Sequence, residues 1–72
     1  MKKFEIGTYK IHTGEIAVDF TVEKVTAKTV TVTIFKGKKN EKTKTFKTVD
    51  NGKNQYCMAF DILFESDDEK IA

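Results

Sequence analysis

The chain has no proline, one cysteine (Cys57), and lysine at all thirteen of its Lys/Arg positions. Without proline, the turns fall to glycine, asparagine and aspartate. One cysteine excludes an internal disulfide framework and the small secreted scaffold that depends on one, so a cytoplasmic protein is expected. Without arginine, the bidentate grip that reads guanine is missing, which argues against sequence-specific nucleic-acid recognition. No apolar run approaches a membrane span, and no membrane partner is expected. The opening Met1-Lys2-Lys3-Phe4 is not followed by a leader's apolar stretch, because Glu5, Gly7 and Lys10 interrupt it. Seventy-two residues make a single domain, which at this size buries only roughly 60% of its unfolded surface. That leaves no room for a second lobe around a deep cleft.

What the chain does have is alternation. Ile16, Val18, Phe20 and Val22 form one run, Val30, Val32 and Ile34 a second, and Tyr56, Met58, Phe60, Ile62 and Phe64 a third. A period of two places each set on one face of a pleated strand. Five strands are expected, at about 3–11, 16–25, 29–36, 43–49 and 55–64. Their turns are His12-Thr13-Gly14-Glu15, Thr26-Ala27-Lys28-Thr29, a polar loop from Lys36 to Lys42, and Asp50-Asn51-Gly52-Lys53-Asn54. Asn-Gly is the strongest of these signals, because it tolerates positive φ at successive positions. The fourth strand, poor in apolar residues and rich in lysine, reads as a protected edge. The fifth, the most apolar, reads as central.

Gly7 falls where the first strand switches face, from Phe4 and Ile6 to Tyr9 and Ile11, and predicts a bulge or bend. A second irregularity is needed in the second strand. Val25 and Val30 flank a tight reversal and should share a face, yet Val18, Phe20 and Val22 are out of phase with Val25. One extra residue at Glu23-Lys24, a β-bulge, restores the phase. The expected core is Phe20, Val22, Val30, Val32, Ile34, Met58, Phe60 and Ile62. Short, bent strands in this number predict an all-β fold: a small five-stranded, strongly bent antiparallel sheet or barrel, SH3-like or alternatively OB-like. It occupies residues 1–65. Residues 66–72, acidic and without a strand pattern, are expected to be a solvated flexible tail that ends all regular structure.

Charge is unevenly spread. Residues 24–53 hold nine lysines against Glu41 and Asp50, whereas 54–72 hold five acids against Lys70. Lys36, Lys38, Lys39, Lys42, Lys44 and Lys47 lie along one hairpin with Phe35 and Phe46 between them. Lysines beside aromatic rings suit a single-stranded nucleic acid, whose phosphates meet the charges and whose bases stack on the rings. The same lysines also serve as a solvated edge. His12 has no partner at a metal-binding spacing. Cys57 lies out of phase with Tyr56 and Met58, on the second face of the last strand, and reads as a packing residue with no base beside it. No phosphate-cradling glycine loop, nucleophile elbow or supported carboxylate pair occurs. No catalytic residue, metal or cofactor is therefore expected, and the chain does not read as an enzyme.

Phe4-Glu5-Ile6-Gly7-Thr8-Tyr9, Phe20-Thr21-Val22 and Thr26-Ala27-Lys28-Thr29-Val30-Thr31-Val32 together resemble a pattern in small all-β proteins of Gram-positive bacteria. Those proteins are often encoded on plasmids, prophages or conjugative elements. The resemblance covers about half the chain and implies no activity and no site residues. The expectation is a non-catalytic module that binds a protein through a sheet edge or face, such as a mobile-element accessory protein. Nucleic-acid binding by the 36–47 hairpin is the alternative. Monomer and homodimer are both compatible with the unprotected first strand.

Overall fold

The computed structural model describes residues 2–72. It is all-β, with antiparallel strands β1 (Gly7–Thr13), β2 (Ile16–Val25), β3 (Thr29–Ile34), β4 (Lys42–Lys47), β5 (Val49–Asp50), β6 (Gln55–Ala59), β7 (Ile62–Glu65) and β8 (Glu69–Lys70). They form a five-stranded sheet in the order β4-β3-β2-β1-β8 and a three-stranded sheet in the order β5-β6-β7. Neither sheet closes on itself, and the core lies between them. β4 and β5 are nearly one strand: it turns a corner at Thr48, whose N–H donates to the Lys28 carbonyl at 2.8 Å, and passes from the large sheet to the small.

The large sheet follows the alternation in the sequence. Phe20 pairs with Ile34 and Val22 with Val32; the register then slips between Val22 and Lys24 before Val25 pairs with Val30. The extra residue is Glu23, so the expected bulge is present, and it keeps Phe20, Val22, Val30, Val32 and Ile34 together in the core. The reversal after Val25 is held by Thr26, whose hydroxyl accepts from the Thr29 N–H at 3.0 Å. β4 is an edge strand, as its lysines predict.

The segment 55–64 departs from expectation. It is not one central strand but a hairpin, with Ala59 paired to Ile62 and only Phe60 and Asp61 between them. Both turn residues have positive φ, 52° and 65°, the backbone of a two-residue type I′ turn. Neither is the glycine or asparagine that normally signals such a turn. Phe60 is held there by its ring, whose centroid lies 6.0 Å from that of Phe20 and 5.0 Å from that of Phe46. The turn also decides which face is buried. Cys57, Ala59 and Phe64 enter the core, while Met58 is 57% exposed and Phe60 and Ile62 are only partly buried. Met58 as a core residue and Cys57 on the second face are thus both corrected.

Phe64 is the hub of the core. Its ring centroid lies 4.6 Å from Phe4, 5.1 Å from Tyr9 and 5.1 Å from Phe20, joining β7, the N-terminal segment, β1 and β2. A polar clasp closes the same end. Buried Ser66 accepts from the Gln55 N–H at 2.9 Å and donates to the Lys2 carbonyl at 2.7 Å, and the buried Gln55 side chain accepts from the Phe4 N–H at 3.0 Å. Regular structure does not end at residue 65: Glu69 and Lys70 form β8 against Lys10 and Tyr9. Ile71 adds a further bond, its N–H donating to the Thr8 carbonyl at 2.8 Å. Gly7, at φ 141°, accommodates this pairing, because a Cβ there would collide with the Ala72 carbonyl and the Lys70 side chain.

Candidate functional site

The two sheets differ in what they turn outward. On the large sheet many outer positions are threonines, and they bond one another across strands: Thr8 with Thr21 at 3.2 Å, Thr33 with Thr43 at 2.7 Å and Thr31 with Thr45 at 2.9 Å. Thr33 also donates to the Glu23 carboxylate at 3.0 Å, and Glu23 pairs with Lys36 at 3.0 Å. Its hydrogen bonds from Lys36 and Thr33, in that order of weight, hold the Glu23 carboxyl below the ordinary range. The bulge supplies this residue to the outer face, where it anchors the loop that follows β3.

That loop begins at Phe35, a non-glycine residue at φ 57°. It is cross-braced: the Lys38 N–H donates to the Phe35 carbonyl at 3.0 Å, the Glu41 N–H to the Lys38 carbonyl at 3.1 Å, and the Gly37 N–H to the Glu41 carboxylate at 2.9 Å. Phe35, Lys36 and Lys38 form one wall of a cleft of about 540 Å³ whose floor is the outer face of β1 and β2, including Thr8, Lys10, Asp19 and Thr21. A second groove, of about 630 Å³, runs between the β2–β3 reversal and the corner at Thr48, with Lys28 and Lys47 along it.

The residues singled out in the hairpin are therefore not one surface. Lys42 is opposite Ile34, Lys44 opposite Val32 and Phe46 opposite Val30, which places all three on the core side of β4. Phe46 packs on Phe60 there. Lys47, opposite Thr29, points to the outer side, and Lys39 lies in the loop. Only Phe35, Lys36 and Lys38 reach the cleft. Lys10 and Asp19, which complete it, carry no signal in the sequence, because their proximity to residue 35 depends on the pairing of β2 with both β1 and β3.

The small sheet turns an apolar face outward. Val49 is opposite Tyr56 and Met58 is opposite Leu63, so all four share one side. Val49 is 48% exposed, Met58 57% and Leu63 48%. The sequence hides this patch, because the apolar alternation runs unbroken through the turn at Phe60–Asp61 and reads as one strand. A Met58–Leu63 pair follows as soon as that turn is recognised.

Chemistry at the remaining groups is muted. Burial pushes the Cys57 thiol up to about 11, so it stays protonated and non-nucleophilic at neutral pH. Burial raises the Tyr9 phenol, whose oxygen accepts from the Glu5 N–H at 2.9 Å. Burial likewise raises the Glu65 and Asp68 carboxyls, with the neighbouring Asp67 adding to the effect. Among the described residues no group of three His, Cys, Asp or Glu could hold a metal, and no helix is long and apolar enough to cross a membrane. Comparison with protein-family models, with curated proteins and with solved structures gives no match.

Proposed function

We propose that this protein is a non-catalytic module that binds a protein partner through the outer face of its small sheet. The observation that carries the reading is the cross-strand cluster of Val49, Tyr56, Met58 and Leu63, three of them about half exposed. A small domain turns such a face to water at a cost, since each exposed apolar group forgoes its burial energy. Contiguous apolar surface of this kind marks interaction sites on soluble proteins. Methionine and tyrosine favour the same use. The flexible thioether of Met58 adapts to a partner's contour, and an aromatic such as Tyr56 supplies contact area with little conformational entropy to lose.

The partner is a protein presenting a complementary apolar centre. The resemblance of the first half of the chain to small proteins of Gram-positive mobile elements supports an accessory role for such an element, inside the cytoplasm. The corner at Thr48, where one strand serves both sheets, supports kinship with SH3-like small barrels, with OB-like barrels as the alternative.

The test compares the parent with a Met58→Lys, Leu63→Lys variant. Both positions are solvent-facing, so thermal stability should change little. The parent should retain a specific protein from nuclease-treated host lysate, and the variant should lose it. If both capture the same protein equally well, the patch is not the interface. Sedimentation of the parent at two concentrations shows whether a second copy competes for the same face.

A further inference from the structure

We propose that the cleft beneath Phe35 binds single-stranded nucleic acid, with one base against the Phe35 ring and its flanking phosphates on Lys10, Lys36 and Lys38. This site lies on the outer face of the large sheet, across the core from the apolar patch, and stands independently of the reading given to that patch.

The cleft has the composition that such a ligand requires. Its volume of about 540 Å³ falls within the roughly 300–1,000 Å³ typical of ligand sites. One aromatic wall, three lysines and two threonine hydroxyls, from Thr8 and Thr21, surround it. Phe35 is 37% exposed, although it follows directly on the core residue Ile34. It reaches the cleft through a left-handed backbone conformation that an aromatic residue rarely adopts. Strain of this sort persists where the surroundings enforce it, and it clusters at ligand clamps. Here the bracing bonds of the 35–41 loop and the Lys36–Glu23 pair enforce it. The loop is thus ordered before any ligand arrives, which lowers the entropy cost of binding.

The arrangement also selects the form of nucleic acid. A base can lie flat on a phenylalanine ring only when it is unstacked from its neighbours, as in a single strand. Asp19 lies directly opposite Lys10 in the floor, and its carboxylate accepts from a base amino group. Cytosine presents such a group, whereas thymine does not. With no arginine for bidentate readout, the site recognises a strand and a class of base, not a sequence.

Fluorescence anisotropy with a short labelled oligodeoxycytidylate tests this. The parent should bind at about 50 mM salt and lose about twentyfold in affinity by about 200 mM, as expected for three phosphate contacts. Phe35→Leu, which keeps the apolar bulk but removes the flat ring, should weaken binding by about tenfold or more. Lys10→Gln with Lys38→Gln should do the same, while Lys42→Gln with Lys44→Gln, on the other side of β4, should leave it unchanged. If Phe35→Leu fails to fold, the two lysine pairs decide the matter alone. No binding by the parent at about 50 mM salt overturns the proposal. So does an equal loss in both lysine pairs, which would reveal diffuse attraction to a basic chain.

Discussion

The large sheet and the small one both bury an inner face in the shared core but handle their outer faces in opposite ways. On β1 to β4 the outward side chains include threonines paired by hydroxyl bonds, Lys10 opposite Asp19, and Glu23 with its partner Lys36. β-Branched threonine suits a strand, and its hydroxyl keeps the surface compatible with water. On β5 to β7 the outward positions are Val49, Tyr56, Met58 and Leu63, with Glu65 opposite Tyr56 at the margin. The difference teaches where to look for function. A sheet that dresses its outer face in satisfied polar groups needs no cover, whereas one that leaves it apolar has a use for cover. The feature proposed for the large sheet is a cleft walled by the braced loop that follows β3.

The contact between the sheets can be broken at Phe64. This ring is fully buried and touches Phe4, Tyr9 and Phe20, so Phe64→Ala should cost about 3–5 kcal/mol. That is comparable to the whole stability of a domain this small. Phe60→Ala, at a half-buried ring, should cost about half as much. Urea titration of both variants checks the ranking, and equal costs would mean that Phe60 bears as much of the inter-sheet contact as Phe64.

A smaller effect is expected at the far edge of the large sheet. Gly7→Ala places a Cβ against the Ala72 carbonyl and the Lys70 side chain, at a φ that alanine rarely adopts. The loss should be about 1–3 kcal/mol, concentrated in β8. Amide exchange of Ile71 and Ala72, whose N–H groups donate to the Thr8 carbonyl, should quicken well before exchange in β2 or β3. Uniform acceleration would show that β8 unfolds only with the rest of the domain.

The smallest effect lies in the turn of the small sheet, and its sign is reversed. Asp61 occupies the second central position of a type I′ turn, where glycine is preferred. Asp61→Gly should raise stability, by up to about 1 kcal/mol. Phe60→Asn installs the residue favoured at the first position, yet it should lower stability, since it removes the ring contacts with Phe20 and Phe46. Thermal melts of the two variants moving in opposite directions would separate local turn preference from tertiary packing.

By itself the sequence determined that the chain is all-β, where β2 and β3 run, that β4 is an edge, and that the register slips near Glu23. Each of these is a local property, because alternation with a period of two and the mismatch between Val22 and Val25 are visible without knowing what packs on the strand. The tertiary structure decided the rest. Residues 55–64 alternate as well as any strand, but rings from β2 and β4 hold Phe60 in a turn. That turn sends Cys57 inward and Met58 outward. The lysines between 36 and 47 are close in sequence, yet the pleat of β4 divides them between two faces. Lys10 and Asp19 share a cleft with Phe35 because β2 pairs with both β1 and β3, setting Asp19 opposite Lys10 and Phe20 opposite Ile34. Periodicity says which side chains share a face. Which face is covered, and by what, depends on contacts between residues far apart in the chain.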